Sequence, residues 1–254
     1  MQRDADATVR VRLAAPQNSV ITVGTAEVSL NDALEMRGSG ANDAITGGIE
    51  NDAIDAGEGN NTVVSGDGAD SVTAGNGDNV IDVGTGDNTV VSGTGADSVT
   101  AGNGDDVIDV GDGNNTVVSG AGADNVTSGE GSDSIDAGDG DNTVVSGAGA
   151  DNVISGVGQD LVDLGAGDDT VDAGDGNDTV DGGAGADSID AGDGDDSVVF
   201  DAADATVIGG SGNDALVMNE ALTDLSASSP NVSGFEAIDL STPGANRVVL
   251  NEAF

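Results

Sequence analysis

The chain has 254 residues, with 48 acids set against five basic residues and a formal charge of −43. It holds 43 Gly and three Phe, and no His, Cys, Trp or Tyr. That composition leaves no basic face for nucleic acid, no disulfide framework or thiolate metal site, and no apolar run of the roughly 18 residues that span a membrane. Without His, Cys, Lys, Tyr or Trp, only carboxylates and hydroxyls remain for proton transfer or attack, so the chain is not expected to be an enzyme. So acidic a chain, poor in aromatic packing, stays expanded unless something cationic neutralises it.

The N-terminal residues 1–46 carry no regular repeat. Residues 1–30 lack a basic stretch followed by an apolar one, so no cleaved signal is expected and any export takes another route. Residues 7–13, "ATVRVRL", alternate apolar and basic, which predicts an amphipathic strand with Arg10 and Arg12 on one face. Such a strand can cap a β-structure against edge pairing, or offer its basic face to the acidic body of a neighbouring copy.

Residues 47–217 divide without insertion into nineteen units of nine, of which "AGDGNDTVD" (173–181) is typical. The second position is Gly in all units but one (Asp201), and the fourth in all but two (Glu50, Ala203). The sixth is Asp in thirteen units, Asn in five (Asn61, Asn79, Asn88, Asn115, Asn142) and Ala205 once. The eighth is always apolar, from Ile54 to Leu216, and β-branched in eighteen units. A solvated disordered tract has no reason to keep that spacing. Val and Ile favour extended backbone, so positions seven to nine read as a very short strand with the eighth side chain inward. A strand that short must stack on copies of itself. The alternating glycines permit tight turns in which main-chain carbonyls converge. Carboxylates and carbonyls together form the oxygen set that Ca²⁺ takes, six to eight ligands at about 2.3–2.6 Å. The reading is an all-β, calcium-bridged solenoid.

These units resemble the RTX, or haemolysin-type, calcium-binding nonapeptide G-G-x-G-x-D-x-U-x; "GGAGADSID" (182–190) and "GGSGNDALV" (209–217) match it letter for letter. The resemblance implies a parallel β-roll with two units per turn and rows of Ca²⁺ between successive turns. It also implies an extracellular protein exported by type I secretion with an uncleaved C-terminal signal. Carried over position by position, it implies calcium ligands at Asp52, Asp70, Asp97, Asp106, Asp124, Asp133, Asp151, Asp160, Asp169, Asp178, Asp187, Asp196 and Asp214. At Asp52 the unit departs from the pattern, because Glu50 replaces a turn glycine. Most units also depart at the first position, with Ala, Ser or Val for Gly.

A longer repeat of 27 residues overlies the nine: residues 74–100 and 101–127 are nearly identical. A three-sided coil of 27 residues would stack Asn, Val and Asp in continuous columns, and Asn ladders stabilise stacked strands. It would also set the ninth-position Asp residues about 4.8 Å apart in a row, and like charges directly opposite destabilise a sheet. An 18-residue coil spreads them to every third turn, so the two-sided roll is favoured, with the three-sided coil as the alternative. Outward Thr62, Thr89, Thr116, Thr143 and Thr170 would align as a flat ice- or carbohydrate-binding face only in the three-sided form.

Residues 218–254 read as a hairpin-like β cap, with Phe235, Ile238 and Leu240 on one arm, a turn at Pro243–Gly244 and a return at Val248 to Leu250. The last residues could also carry the secretion signal. The expected division is therefore a strand or cap region at 1–46, a solenoid at 47–217 and a C-terminal cap at 218–254. The expected function is a secreted calcium-binding structural protein that folds on Ca²⁺ outside the cell, without membrane insertion, and self-assembles as matrix, surface-layer or filament material. The alternative is the calcium-dependent folding and secretion module of a larger exoprotein or adhesin.

Overall fold

Eighth-position Val and Ile hold the backbone extended, and glycines at the second and fourth positions turn the chain back after only a few residues. The computed structural model describes residues 9–12, 20–22, 33–218 and 231–239. It is a parallel β-solenoid, all strand and turn among the described residues, with no helix. The chain divides into two units, Met1–Glu130 and Gly131–Phe254.

In the first unit one parallel sheet runs, in order, Val9–Arg12, Leu34–Ser39, Ala53–Gly57, Ser71–Thr73, Thr89–Val91, Val107–Gly111 and Asn125–Ser128. The intervening strands form the other sheet: Val20–Thr22, Ala44–Thr46, Thr62–Val64, Val80–Asp82, Ser98–Thr100 and Thr116–Val118. The second unit repeats the scheme. One sheet holds Thr143–Val145, Leu161–Asp163, Thr179–Asp181, Ser197–Phe200, Ala215–Met218 and Ala237–Asp239. Its counterpart holds Ser134–Asp136, Asn152–Ile154, Thr170–Asp172, Ser188–Asp190, Thr206–Ile208 and Asn231–Ser233.

The register decides the coil length. Val90 lies between Val72 and Ile108, its neighbours 18 residues away on either side, where a three-sided coil would have set it beside Val117. Each turn therefore takes two nonapeptides, and the 27-residue pattern runs across the coils instead of along them. Asp109 is consequently flanked by Val91 and Thr127, which keeps ninth-position charges apart in the first unit. The spreading is incomplete in the second, where Asp163 faces Asp181 and Asp172 faces Asp190. The threonines form no single row: Thr62 and Thr116 lie in one sheet of the first unit and Thr89 in the other.

Side chains at the sixth, eighth and first positions alternate inward along each strand, as a pleat of period two requires. Ile81, Val90, Val99 and Ile108 are buried at the eighth position, as expected. The first position is a second core site that the nonapeptide pattern did not reveal. Ala74, Val83, Ala101, Val110 and Leu164 are buried there, so the core has up to two apolar side chains per nine residues. Where Ser takes that place it is buried too, and its hydroxyl donates to a carbonyl in the next coil, as from Ser146 Oγ to Leu164 O at 2.8 Å and Ser155 Oγ to Ala173 O at 3.0 Å. A Gly there would lose both the apolar contact and this bond.

Two of the glycines show what the turn demands. Gly102 and Gly104 have φ of +92° and +136°, a region that side chains avoid. A Cβ on either would overlap the carbonyl of its counterpart one coil earlier, Gly84 or Gly86.

The coil extends beyond the regular repeat. Ala44–Thr46 and Leu34–Ser39 pair in parallel with the first strands of the repeat, and bury Ile45, Leu34 and Met36. Val9–Arg12 is a strand, as the alternation predicted, paired in parallel with Leu34–Arg37. At the other end Asn231–Ser233 and Ala237–Asp239 also join as parallel strands. Ala237–Asp239 thus continues the coil through Ile238, while Leu240, the turn at Pro243–Gly244 and the return arm Val248 to Leu250 lie outside the described residues.

Candidate metal-binding rows

The sixth position sits where the turn enters the strand and points inward, so its side chain meets the stacked main chain of adjacent coils. All thirteen predicted aspartates are buried there, none more than 3% exposed. The coil gathers them into rows, one on each side of each unit. Asp52, Asp70, Asp106 and Asp124 share a row of the first unit, with Asn88 inside it, and Asp97 lies on the opposite side. In the second unit Asp160, Asp178, Asp196 and Asp214 follow Asn142 along one side, and Asp133, Asp151, Asp169 and Asp187 run along the other.

One oxygen of each carboxylate has a structural job. The sixth-position N–H donates to Oδ1 of the sixth residue one coil later: Asp52 to Asp70 at 2.7 Å, Asp106 to Asp124 at 2.8 Å, Asp169 to Asp187 at 2.9 Å. Asparagine does the same, with Oδ1 of Asn88 accepting from Asp70 N at 2.9 Å. This side-chain ladder replaces the backbone pairing that the turn interrupts.

The second oxygen is different. Oδ2 of Asp106, Asp151, Asp169, Asp178, Asp187, Asp196 and Asp214 is buried without a hydrogen-bond partner. A buried polar atom without a partner costs free energy, and a buried anionic one costs more. Accordingly, burial pushes the carboxyls of Asp106, Asp169 and Asp178 up to about 6, against the opposing effect of the backbone N–H bond. Burial also raises Asp70, Asp124, Asp160, Asp187, Asp196 and Asp214. In other units Oδ2 is met by the protein: Ser92 Oγ donates to Asp97 at 2.8 Å, and Gly48 N to Asp52 at 2.8 Å.

Unpartnered anionic oxygens in a setting of carbonyls fit a hard cation and suit few other groups. The acids do not gather in threes among the described residues, so a bound ion would draw most of its six to eight oxygens from the main chain of the turns. Ca²⁺ suits such a mixed oxygen set, and the residues present fit it.

The rows also hold acids that the nonapeptide pattern passed over. Asp43 is buried one unit ahead of Asp52, and its N–H donates to Asn61 Oδ1 at 3.0 Å while Oδ2 accepts from Ser39 N and Oγ at 2.6 and 2.9 Å. Its signal is present in the sequence, since Ile45 follows two residues later as an eighth position would. Asp204 is buried beside Ala205, the one unit without a sixth-position Asp or Asn, and burial raises it to about 7. There Asp201 N donates to Asp204 Oδ2 at 2.9 Å, closing a turn that lacks its glycines. Glu236 ends a row beyond an insertion, its Oε2 accepting from Asp214 N at 2.9 Å. It stands two residues before Ile238, again the sixth-to-eighth spacing.

Most described acids at the other positions are exposed or half-buried and serve the surface. Fifth-position carboxylates accept from the next coil's N–H, as from Ala123 to Asp105 Oδ1 at 2.9 Å. Asp195 receives both the N–H and the amide of Asn213, which hold its carboxyl below the usual range.

Among known protein families, the RTX calcium-binding nonapeptide repeat (4 copies) matches in nine overlapping stretches that run from residues 36–63 to residues 172–207 and leave no gap between them. No curated protein matches the chain.

Proposed function

The chain belongs to the RTX calcium-binding nonapeptide-repeat family, and from that premise we propose a secreted structural protein that folds on Ca²⁺ and then assembles into extracellular material. The observation that carries this reading is the set of buried carboxylate oxygens without partners, repeated coil after coil. The proposed ligands are Asp52, Asp70, Asp97, Asp106, Asp124, Asp133, Asp151, Asp160, Asp169, Asp178, Asp187, Asp196 and Asp214, to which we add Asp43, Asp204 and Glu236.

The mechanism is linkage between binding and folding. Residues 47–217 contain 37 acids and no basic residue, so without a cation the block repels itself and stays exportable. The bound cation supplies positive charge to buried carboxylates and turn carbonyls. Those oxygens converge only in the stacked coil, so binding free energy becomes folding free energy. The chain's own part is to hold Oδ1 on the ladder, which aims Oδ2 into the turn, and to exclude water with the eighth- and first-position side chains. A low-calcium interior and a calcium-rich exterior then give export before folding. Assembly is supported by the charge contrast between a strand bearing Arg10 and Arg12 and the acidic repeat.

The test is a calcium titration of the purified chain, with circular dichroism and size-exclusion light scattering read on the same samples. A coil-to-β transition at rising Ca²⁺ followed by growth into large species is the expected result. The same transition ending at a monomer would overturn assembly while keeping calcium-linked folding. Full β-structure in chelator would overturn the calcium switch.

A further inference from the structure

We propose that the five sixth-position asparagines close their turns without metal, the side-chain amide taking the place that a cation takes beside an aspartate. Calcium loading and calcium dependence are then graded along the chain. This rests on the calcium reading of the aspartate rows.

Asparagine and aspartate have the same shape, and Oδ1 makes the same ladder bond in both. The other terminal atom tells them apart. Asn61 Nδ2 donates to Gly57 O at 3.0 Å, Gly59 O at 2.9 Å and Ala74 O at 3.2 Å. Asn115 Nδ2 reaches Gly111 O and Gly113 O, each at 3.0 Å. Asn79 reaches Gly77 O at 2.8 Å, Asn88 reaches Gly86 O at 2.7 Å, and Asn142 reaches Gly138 O and Ser155 O at 3.2 Å. The amide orientation follows from the network, because turning it over would set its oxygen against these carbonyls and its NH₂ against the ladder N–H.

An aspartate in the same place has no hydrogen to give. Its Oδ2 and the turn carbonyls are all acceptors, and where no protein donor meets Oδ2, as one does at Asp52 and Asp97, only a proton or a cation can reconcile them. In an asparagine turn the carbonyls are already satisfied and the carboxylate charge that would attract an ion is missing. Binding there would require breaking hydrogen bonds to gain a neutral ligand set. The amide is therefore a built-in substitute for the ion.

The substitutes are unevenly placed. Within the repeat, the first unit has Asn at Asn61, Asn79, Asn88 and Asn115, four of its nine sixth positions; the second has Asn142 alone among ten. The first unit should accordingly bind fewer ions per coil and hold more of its structure when calcium is scarce.

The test uses the full chain and two opposite substitutions. Asn88→Asp completes the row Asp52, Asp70, residue 88, Asp106 and Asp124; Asp169→Asn interrupts Asp133, Asp151, Asp169 and Asp187. Bound calcium is counted by elemental analysis after gel filtration at fixed free Ca²⁺, and thermal unfolding is followed in chelator. Asn88→Asp is expected to add at least one bound calcium and lower the chelator midpoint. Asp169→Asn is expected to lose at least one and raise that midpoint by about 2–4 °C, the shift of roughly one recovered hydrogen bond in a chain of this size. Unchanged calcium counts with unchanged midpoints would overturn the inference while leaving the calcium reading standing. No bound calcium in the parent chain would overturn both. The chelator midpoint of Asp169→Asn decides the amide's role even if Asn88→Asp folds poorly, since a midpoint that does not rise contradicts it.

Discussion

The two units of the molecule have the same repeat, the same coil length and the same pattern of core residues, yet fill the sixth position differently. Asn61, Asn79, Asn88 and Asn115 interrupt the aspartates of the first; the second is nearly all aspartate from Asp133 to Asp214. The backbone does not register the change, because Oδ1 of either residue completes the same ladder at 2.7–3.0 Å. What changes is the chemistry left over: a donor that satisfies the turn in one case, a buried anion without a partner in the other. On the proposed reading, one fold contains turns that stand alone and turns that need an ion. Geometry and metal demand are set by different atoms of the same side chain.

Core substitutions should break both units alike when calcium saturates them. Ile108 and Ile189 occupy the eighth position in the first and second units, each about 1% exposed. Ile108→Ala and Ile189→Ala are each expected to cost about 2–5 kcal/mol, measured by denaturant unfolding in millimolar Ca²⁺. In chelator the difference should sharpen: Ile189→Ala, in the unit already weakened by the loss of its ions, should remove more β-structure than Ile108→Ala. Equal effects in chelator would remove the distinction between the units.

Turn glycines should give a smaller loss, again independent of calcium. Gly104 and Gly194 have φ of +136° and +151°, and a Cβ on either would overlap the carbonyl of Gly86 or Gly176. Gly104→Ala and Gly194→Ala should each cost about 1–3 kcal/mol from backbone strain, with more calcium failing to restore the loss. Complete recovery at high Ca²⁺ would show that the turn adapts.

The smallest effect is on pH in chelator. Asp106, Asp169 and Asp178 are raised from 3.8 to about 6, and Asp204 to about 7, chiefly by burial. The folded state therefore holds more protons than the unfolded one between those values, and stability falls as pH rises through about 6 to 7. Lowering the pH from 7.5 to 5 without calcium should increase β-structure, more in the second unit, which contains three of these four. A loss of ellipticity over that range would contradict the burial of these carboxyls.

The rows and the solenoid are legible in the sequence because each follows from one residue at one spacing. Eighth-position Val and Ile define the strand, and thirteen aspartates fall in the rows where the nonapeptide puts them. The 18-residue coil is favoured by charge in the first unit, where it sets Asp109 between Val91 and Thr127, but less so in the second, where Asp163 faces Asp181. The first-position core was hidden because Ala, Ser, Val and Leu share no obvious chemistry, although all fit the same inward place. Asp43, Asp204 and Glu236 were hidden by missing glycines or insertions around them, which blur the motif, although Asp43 and Glu236 still join the ladder and Asp204 is buried in its own turn. The work of the asparagines depends on which carbonyls their amides meet, and no spacing reveals that.

The most direct measurement is hydrogen exchange by mass spectrometry on the full chain, in saturating Ca²⁺ and in chelator. The account predicts protected strands in both units with calcium. In chelator it predicts a loss of protection of at least about tenfold in peptides spanning residues 146–199, with more retained across residues 60–118. Equal protection with and without calcium, or a greater loss in the asparagine-containing unit, would contradict it.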